Sequence, residues 1–457
     1  MKFLGIPVEC KNLPPLDPGF IPFGAFISGF LKTAKKNISV ALHRNDGFVS
    51  VHRTFVHGTP EMADADKYYI ERLVKFLLWQ KGGVELVIYG DDGLAEHISQ
   101  IYCTDGERKF DVAFLSDLYN REFSVRSAKG KPPAEKECPM RVGGHVNGCR
   151  IGFDAGGSDR KVSAVIDGEA VYSEEIVWHP KANADPAYHY DGIYSAFCTA
   201  ASKMPRVDAI GVSSAGMYSN NYTMAATLFM QVPKDQFEKY VRDIYIRAAA
   251  AIGDVPLMVI NDGEATALAG ALEQQEGNVL GIAMGTSQAS GYIDNRGNIT
   301  GWLNELALVP VDCQPNAMHD EWADDIGCGG KYFSQDAVIS LARHAGIILN
   351  ENDSPAEKLK TVQILMAERD DRARKIFESI GTYLGHTLSL YAMFYEIKHV
   401  LLLGRVMSGN GGATIIDATK RVLADEYPHL KLKLHLPDEN SRRVGQSIVA
   451  AGLPVAK

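Results

Sequence analysis

The sequence predicts an α/β protein made of two similar lobes, preceded by a smaller α/β unit. Three observations predict it. Short apolar runs of strand character alternate with segments of helical apolar spacing along most of the chain, the pattern of strands covered by helices. Two glycine-rich turns, DAGGSDRK at 154–161 and MGTSQASG at 284–291, each follow an apolar run and each lead into another strand-like run. The segment 131–148, KPPAEKECPMRVGGHVNG, shows neither period and reads as a linker between the N-terminal unit and a larger body.

Bulk properties narrow the function classes. A chain of 457 residues exceeds one ordinary core. The net charge of −9, without a basic arm or stripe, argues against nucleic acid as a partner. No apolar run reaches membrane-spanning length, so no membrane partner is expected. The start MKFLGIPVECKNLPP has one lysine, a very short apolar piece, and early acid and prolines, so no export signal is expected. The seven cysteines are scattered and odd in number, which suits a reducing, cytoplasmic setting better than a disulfide framework.

In the N-terminal unit, NISVALHRNDGFVSVHRTFV is two β-rich runs around Asp46-Gly47, a hairpin signature. Tyr68–Trp79 has helical spacing. VELVIYGDD reads as a strand, LAEHISQIY as a short helix and FDVAFLSDL as another strand. The body opens with a strand at Ile151–Phe153 and a hairpin through Asp167-Gly168. A helix is expected over 192–202, a strand at 207–212, and one long amphipathic helix over 235–251. Leu257–Ile260 is a buried strand ending where the helix NDGEATALAGAL starts, and Asn278–Met284 is another, followed by a hairpin at 294–298. Residues 333–395 read as mostly helical. A strand at 399–403, a helix at 413–424, a strand at 430–436 and a helix at 441–452 complete the body.

The two turns carry the chemistry. A dinucleotide fingerprint needs GxGxxG opening a helix, and a Walker loop needs GxxxxGK[ST]; the first turn has neither. It is instead a tight β-hairpin whose backbone N–H groups can face phosphate oxygens. Gly156 and Gly157 allow close backbone approach, Ser158 supplies a hydroxyl and Lys161 a cation. Asp154, at the strand end, can orient water on a magnesium ion. Gly285, Thr286 and Ser287 offer the same kind of turn from the second lobe, so the two hairpins can close on one polyphosphate. Asp262 follows the buried strand LMVI at a helix start, where a carboxylate can accept a hydroxyl proton or cap the helix. Asn261 beside it can hold a neighbouring hydroxyl. Gly216 and Asn221 follow another strand end, where substrate contacts or ordinary turns occur.

Over residues 148–455 these motifs resemble the actin–hexokinase superfamily, and within it the ROK (repressor, open reading frame, kinase) group of sugar kinases. DAGGSDRKVSAV is similar to the first phosphate loop, MGTSQASG to the second, VINDGEATALAG to the segment carrying the catalytic Asp, GWLNELA to the sugar-binding Glu segment, and VLLLGRVMSGNGG to the adenosine loop, with VGQSIVAAGL as the closing helix. The resemblance implies ribonuclease-H-like lobes around a nucleotide cleft. The division is 1–145 as an N-terminal α/β extension, 148–280 and 281–440 as the lobes, and 441–457 as a helix returning to the first lobe. It implies ATP and Mg²⁺ as cofactors and a small sugar as partner. It makes Asp262 the general base, Asn261 and Glu305 sugar contacts, and Gly404, Gly411 and Gly412 nucleotide contacts.

Two departures stand out. The group's structural zinc uses one His and three Cys. Here Leu308 stands where the His would be, Ile326 and Phe333 replace two cysteines, and only Cys328 remains, so no structural zinc is expected there. Arg405 stands where a second glycine is common, placed either to stack on adenine or to block it. The expected function is phosphorylation of a sugar hydroxyl by ATP. The alternatives are a sugar sensor that has lost turnover and, with less support because no CxxC-like pairing occurs, an ATPase activator of a partner enzyme. A symmetric homodimer, the commonest assembly, is the oligomer to test for.

Overall fold

The computed structural model describes residues 1–436 and 446–456. The N-terminal unit runs α1 (Phe23–Leu31), β1 (Lys36–His43), β2 (Val49–Val56), α2 (Ala63–Lys81), β3 (Glu85–Tyr89), α3 (Asp92–Ile101), α4 (Lys109–Tyr119) and β4 (Ser124–Ala128). Its sheet has the order β2-β1-β3-β4, with β3 antiparallel to β1 and β4 parallel to β3. The β1–β2 hairpin forms around Asp46-Gly47 as expected, with Asp46 in the left-handed region at φ 58°.

FDVAFLSDL is a helix, α4, where a strand was expected. Its buried residues Asp111, Val112, Leu115 and Leu118 recur at helical spacing. The buried Asp111 fixes that face: it accepts the Trp79 indole N–H at 2.5 Å and lies 3.3 Å from Lys75 Nζ, both on α2. The segment 131–148, expected as a linker, is irregular but pinned. Lys136 and Val49 exchange backbone hydrogen bonds of 2.9 Å, and Glu137 takes Arg44, Ser50 and Trp302. Its Met140–Arg141 (β5) adds an edge strand to a sheet of the body.

The first lobe contains β6 (Cys149–Ala155), β7 (Asp159–Ile166), β8 (Glu169–Val177), α5 (Pro186–Ala201), β9 (Ala209–Ser214), α6 (Ile244–Ile252) and β10 (Leu257–Asn261). The helix expected over 235–251 is broken. A short turn at Lys234–Gln236 widens into a π-type turn at Phe237–Val241 before α6 begins. The Arg242 carbonyl, at this break, accepts the Thr223 N–H at 2.8 Å from outside the helix. From the last strand springs α7 (Asp262–Gln274). The second lobe follows with β11 (Val279–Met284), β12 (Gln288–Ile293), β13 (Asn298–Ile299), α8 (Gln335–His344), α9 (Pro355–Ala367), α10 (Asp371–Tyr391), β14 (His399–Leu403), α11 (Gly409–Glu426) and β15 (Lys433–His435).

Both lobes repeat one topology. The first sheet has the order β8-β7-β6-β9-β10 and the second β15-β14-β11-β12-β13-β5. In each, three antiparallel strands are followed by two strands parallel to the first. Two helices tie the lobes together. α7 starts on the first sheet and lies against β11 and β12, so closely at one point that a methyl on Gly263 would meet the Ser290 backbone. The helix expected over 441–452 is seen at 446–451, its start lying outside the described residues. It rests on the first sheet at Gly152 and Gly211, and Gln446 bonds Thr266 of α7 at 2.8 Å. Among the described residues no helix is long and apolar enough to cross a membrane.

Candidate active site

The end of β6 and the turn after it form one wall of the cleft. Asp154 is only 4% exposed. Ser213 Oγ, on the neighbouring β9, donates to its Oδ1 at 2.9 Å, and Lys161 Nζ lies 4.0 Å from Oδ2. Burial pushes its carboxyl up to about 6, against the pull of Lys161 and Ser213, with the Asp262 charge adding to the rise. The turn is held from below: the Trp178 indole donates to the Gly156 carbonyl at 2.8 Å, and the Gly156 N–H to the Asp159 carbonyl at 3.0 Å. Gly157 and Ser158 are exposed at its tip, and Lys181 passes beside Gly157.

Asp262 begins α7, where the first sheet hands over to the second lobe. The helix cap is Asn261, whose Oδ1 accepts the Gly263 N–H at 2.7 Å while its Nδ2 donates to the Gly216 carbonyl at 2.7 Å. Asp262 also reaches the Gly263 N–H, at 3.0 Å. Burial raises its carboxyl above the usual range, opposed by that N–H and by Lys181. Glu264, two positions further along the helix, is pushed up to about 7 by burial. Glu305 is pushed up to about 8, first by burial and then by the charge of Asp262. Asp262, at the start of the connecting helix, therefore acts on both Asp154 of the first lobe and Glu305 of the second. Lys181, which no motif marks, acts on Asp262 as well.

The second turn faces the first. The Gly285 N–H donates to the Ser287 carbonyl at 3.0 Å, and Thr286 and Ser287 are exposed. Gly404 has φ 101° and lies on the backbone of Met284, so the loop after β14 packs onto the start of this turn. From that loop Arg405 reaches across the cleft, its guanidinium donating to Ser158 Oγ at 3.2 Å. Gly411 and Gly412 behave differently: both are buried, their bare faces filled by the Phe377 ring and the Met407 backbone. They serve the packing of α11. Asn221 also turns away from the cleft, its amide donating to the Leu257 carbonyl at 3.0 Å and accepting the Val259 N–H at 2.9 Å.

Glu305 is held by the N-terminal unit. Its N–H donates to the Trp79 carbonyl at 3.0 Å, and the Asn304 N–H to the Gln80 carbonyl at 2.9 Å, both at the C-terminal end of α2. Tyr395 Oη donates to Asn304 Oδ1 at 2.9 Å. Unsatisfied carbonyls at a helix end thus become the anchor of a cleft residue.

The zinc-like segment lacks the chemistry for zinc. Leu308 and Phe333 are buried hydrocarbon, and Ile326 offers no donor. Cys328 Sγ donates to Asp325 Oδ2 at 3.4 Å, and that carboxylate is already met by Lys75 at 2.8 Å, Arg108 at 2.8 Å and Arg72 at 3.2 Å. Glu71 completes the buried ion cluster, with Arg72 at 2.6 Å and Arg108 at 2.7 Å. Ion pairs to α2 and its surroundings occupy the place where a metal would cross-link the segment.

No protein-family model and no curated protein matches the chain. Solved structures do. The ROK hexokinase of Thermus thermophilus is 17% identical at a TM-score of 0.50, covering 66% of this chain and 96% of that one. A ROK family transcriptional regulator, a homologue of the E. coli MLC protein, is 16% identical at a TM-score of 0.51, covering 67% of this chain and 78% of that one. With its twice-repeated strand order and two connecting helices, the chain has the actin–hexokinase fold of ROK proteins, enlarged by an N-terminal unit.

Proposed function

We propose that this protein transfers the γ-phosphoryl group of ATP to a hydroxyl of a sugar or sugar derivative. The observation that carries this reading is the convergence of Asp154, Asp262 and Glu305 between turns contributed by both lobes. Asp262 accepts the proton of the attacking hydroxyl as its oxygen bonds to the γ-phosphorus and the bond to the β-phosphate oxygen breaks. Burial raises its carboxyl above the usual range, which makes the carboxylate a stronger proton acceptor. Glu305, protonated in this setting below about pH 8, donates a hydrogen bond to a sugar oxygen. The 156–158 and 285–287 turns and Lys161 hold the phosphates. Asp154 fits a magnesium ion through water, and that ion would supply charge neutralisation for the phosphates. We further propose a cytoplasmic setting, a homodimer, and a division of the chain into 1–145, 148–280 and 281–440, with 441–457 returning to the first lobe.

The test is a coupled ADP-release assay with Mg-ATP over hexoses, amino sugars, N-acetyl sugars and sugar alcohols. Acceptor-dependent release that falls by about 10²–10⁴-fold in Asp262→Asn is expected. Release unaffected by the substitution would remove the base from Asp262. A second reading, a sugar sensor without turnover, is favoured by one contact: Arg405 already occupies Ser158 of the first turn. It predicts no ADP release with any acceptor while sugar still raises the melting temperature.

A further inference from the structure

Far from the cleft, the N-terminal segment crosses the ends of two second-lobe helices. There Cys10 Sγ lies 3.4 Å from His386 Nε2 of α10 and 3.4 Å from the Asn12 carbonyl oxygen. The same nitrogen is 2.9 Å from that carbonyl and 3.7 Å from Glu426 Oε1 at the end of α11. The Cys, His and Glu ligand atoms all lie within 4.8 Å of one another. The His386 side chain is fully buried and that of Glu426 only 7% exposed.

We propose that Cys10, Asn12 (through its carbonyl), His386 and Glu426 form a structural zinc site, independent of the cleft chemistry and distinct from the 308–333 segment. Zinc bonds of about 2.0–2.3 Å place tetrahedral ligands about 3.3–3.7 Å apart. The separations of 2.9, 3.4, 3.4 and 3.7 Å come within a few tenths of those edges. One thiolate and one carboxylate cancel the charge of Zn²⁺, so the closed site is neutral where it is buried. A sulfur, nitrogen and oxygen set selects zinc over magnesium or calcium.

The support behind the ligands fits as well. His386 Nδ1 is 2.9 Å from Tyr427 Oη, the outer partner that a metal-binding imidazole needs. Glu426 Oε1 accepts the Lys11 N–H at 2.9 Å, the Asn12 N–H at 2.6 Å and the Asn12 side-chain amide at 3.2 Å, which holds the carboxylate against the segment it would bridge, and zinc takes the place of the amide. On binding, the Cys10 thiol releases its proton to solvent. The imidazole carries its proton on Nδ1, toward Tyr427, and Nε2 gives its lone pair to zinc. The metal would fasten residues 10–12 to α10 and α11.

The full chain, produced with zinc in the medium, is assayed for metal by mass spectrometry and titrated with a chromophoric chelator. About one zinc per chain is expected, with retention against the chelator at least tenfold weaker in Cys10→Ser and in Glu426→Gln. Replacement by Co²⁺ gives a thiolate-to-cobalt charge-transfer band in the parent that Cys10→Ser lacks. Because that spectrum is read on the parent, a variant that misfolds leaves the test intact. A parent without zinc, zinc held equally by both variants, or a cobalt spectrum without the thiolate band overturns the proposal.

Discussion

The first lobe packs one face of its sheet under its own helices. Phe153, Phe197, Val212 and Tyr245 lie in a core that, among the described residues, is drawn from 149–259 alone. The second lobe, with the same strand order, has no such separate core. Its Leu280, Ile380 and Leu402 lie in one apolar cluster with Phe26, Trp79 and Leu86 of the N-terminal unit. The Asp325 ion cluster and the backbone bonds to Glu305 cross the same boundary. One topology is therefore stabilised in two ways. The N-terminal unit and the second lobe are one packed body, and the first lobe meets that body along α7, the helix at 446–451 and the cleft. Any motion of one lobe against the other would carry the first lobe alone and the second together with the N-terminal unit.

Asp325→Ala should produce the largest effect on this contrast. It leaves buried cations short of a partner and should destabilise the joint body by about 3–5 kcal/mol. In hydrogen exchange, α2 and α4 should lose protection while β6 and β9 keep theirs; equal loss in both would make the chain a single cooperative unit. Gly263→Ala comes next, costing about 1–3 kcal/mol because its methyl meets the Ser290 backbone at the junction of the lobes. Its urea midpoint should fall for reporters in either lobe.

Glu305→Gln sharpens the comparison through pH. The folded-state carboxyl is raised from 4.5 to about 8, so the folded protein holds a proton that the unfolded chain gives up. The stability this contributes is full below pH 4.5 and is lost as pH rises toward about 8. Glu264 and Asp154 act in the same direction. The variant should therefore melt progressively higher than the parent between those pH values, and parallel melting curves would refute the shift. Arg405→Ala should do least to stability, within about 0.5 kcal/mol, because both partners of its bond are exposed. A fluorescence-transfer pair across the cleft should nonetheless show a wider spread of lobe separations than in the parent.

The residues explain why some of this was legible in the sequence. The glycine-rich turns, the strand before Asp262 and the alternation of elements are local signals, and they pointed to the fold and to Asp154 and Asp262, whereas Glu305 was suggested only by the resemblance of its segment. FDVAFLSDL misled because the fact that decides it, Asp111 bonded to Trp79, joins positions distant in the chain. At the break near Arg242 the bond is likewise to a distant position, Thr223. Asn221 looked like a substrate contact because its bonds to the edge of β10 leave no local mark, and Lys181 sits in a stretch without pattern. The support of Glu305 by the Trp79 carbonyl is a backbone bond, which no side-chain motif can announce.

The helix at 446–451 closes the first lobe, and Arg150 on β6 donates to the carbonyls of Ala451, 301 positions later, and Pro454. On a ribosome, the strands of that lobe emerge early but their sheet stays uncovered on one face while the entire second lobe is translated. The lobe that has its own core is thus completed only when the segment from 446 on is made, and until then the sheet face at Gly152, Ser163 and Gly211 lacks the helix that covers it.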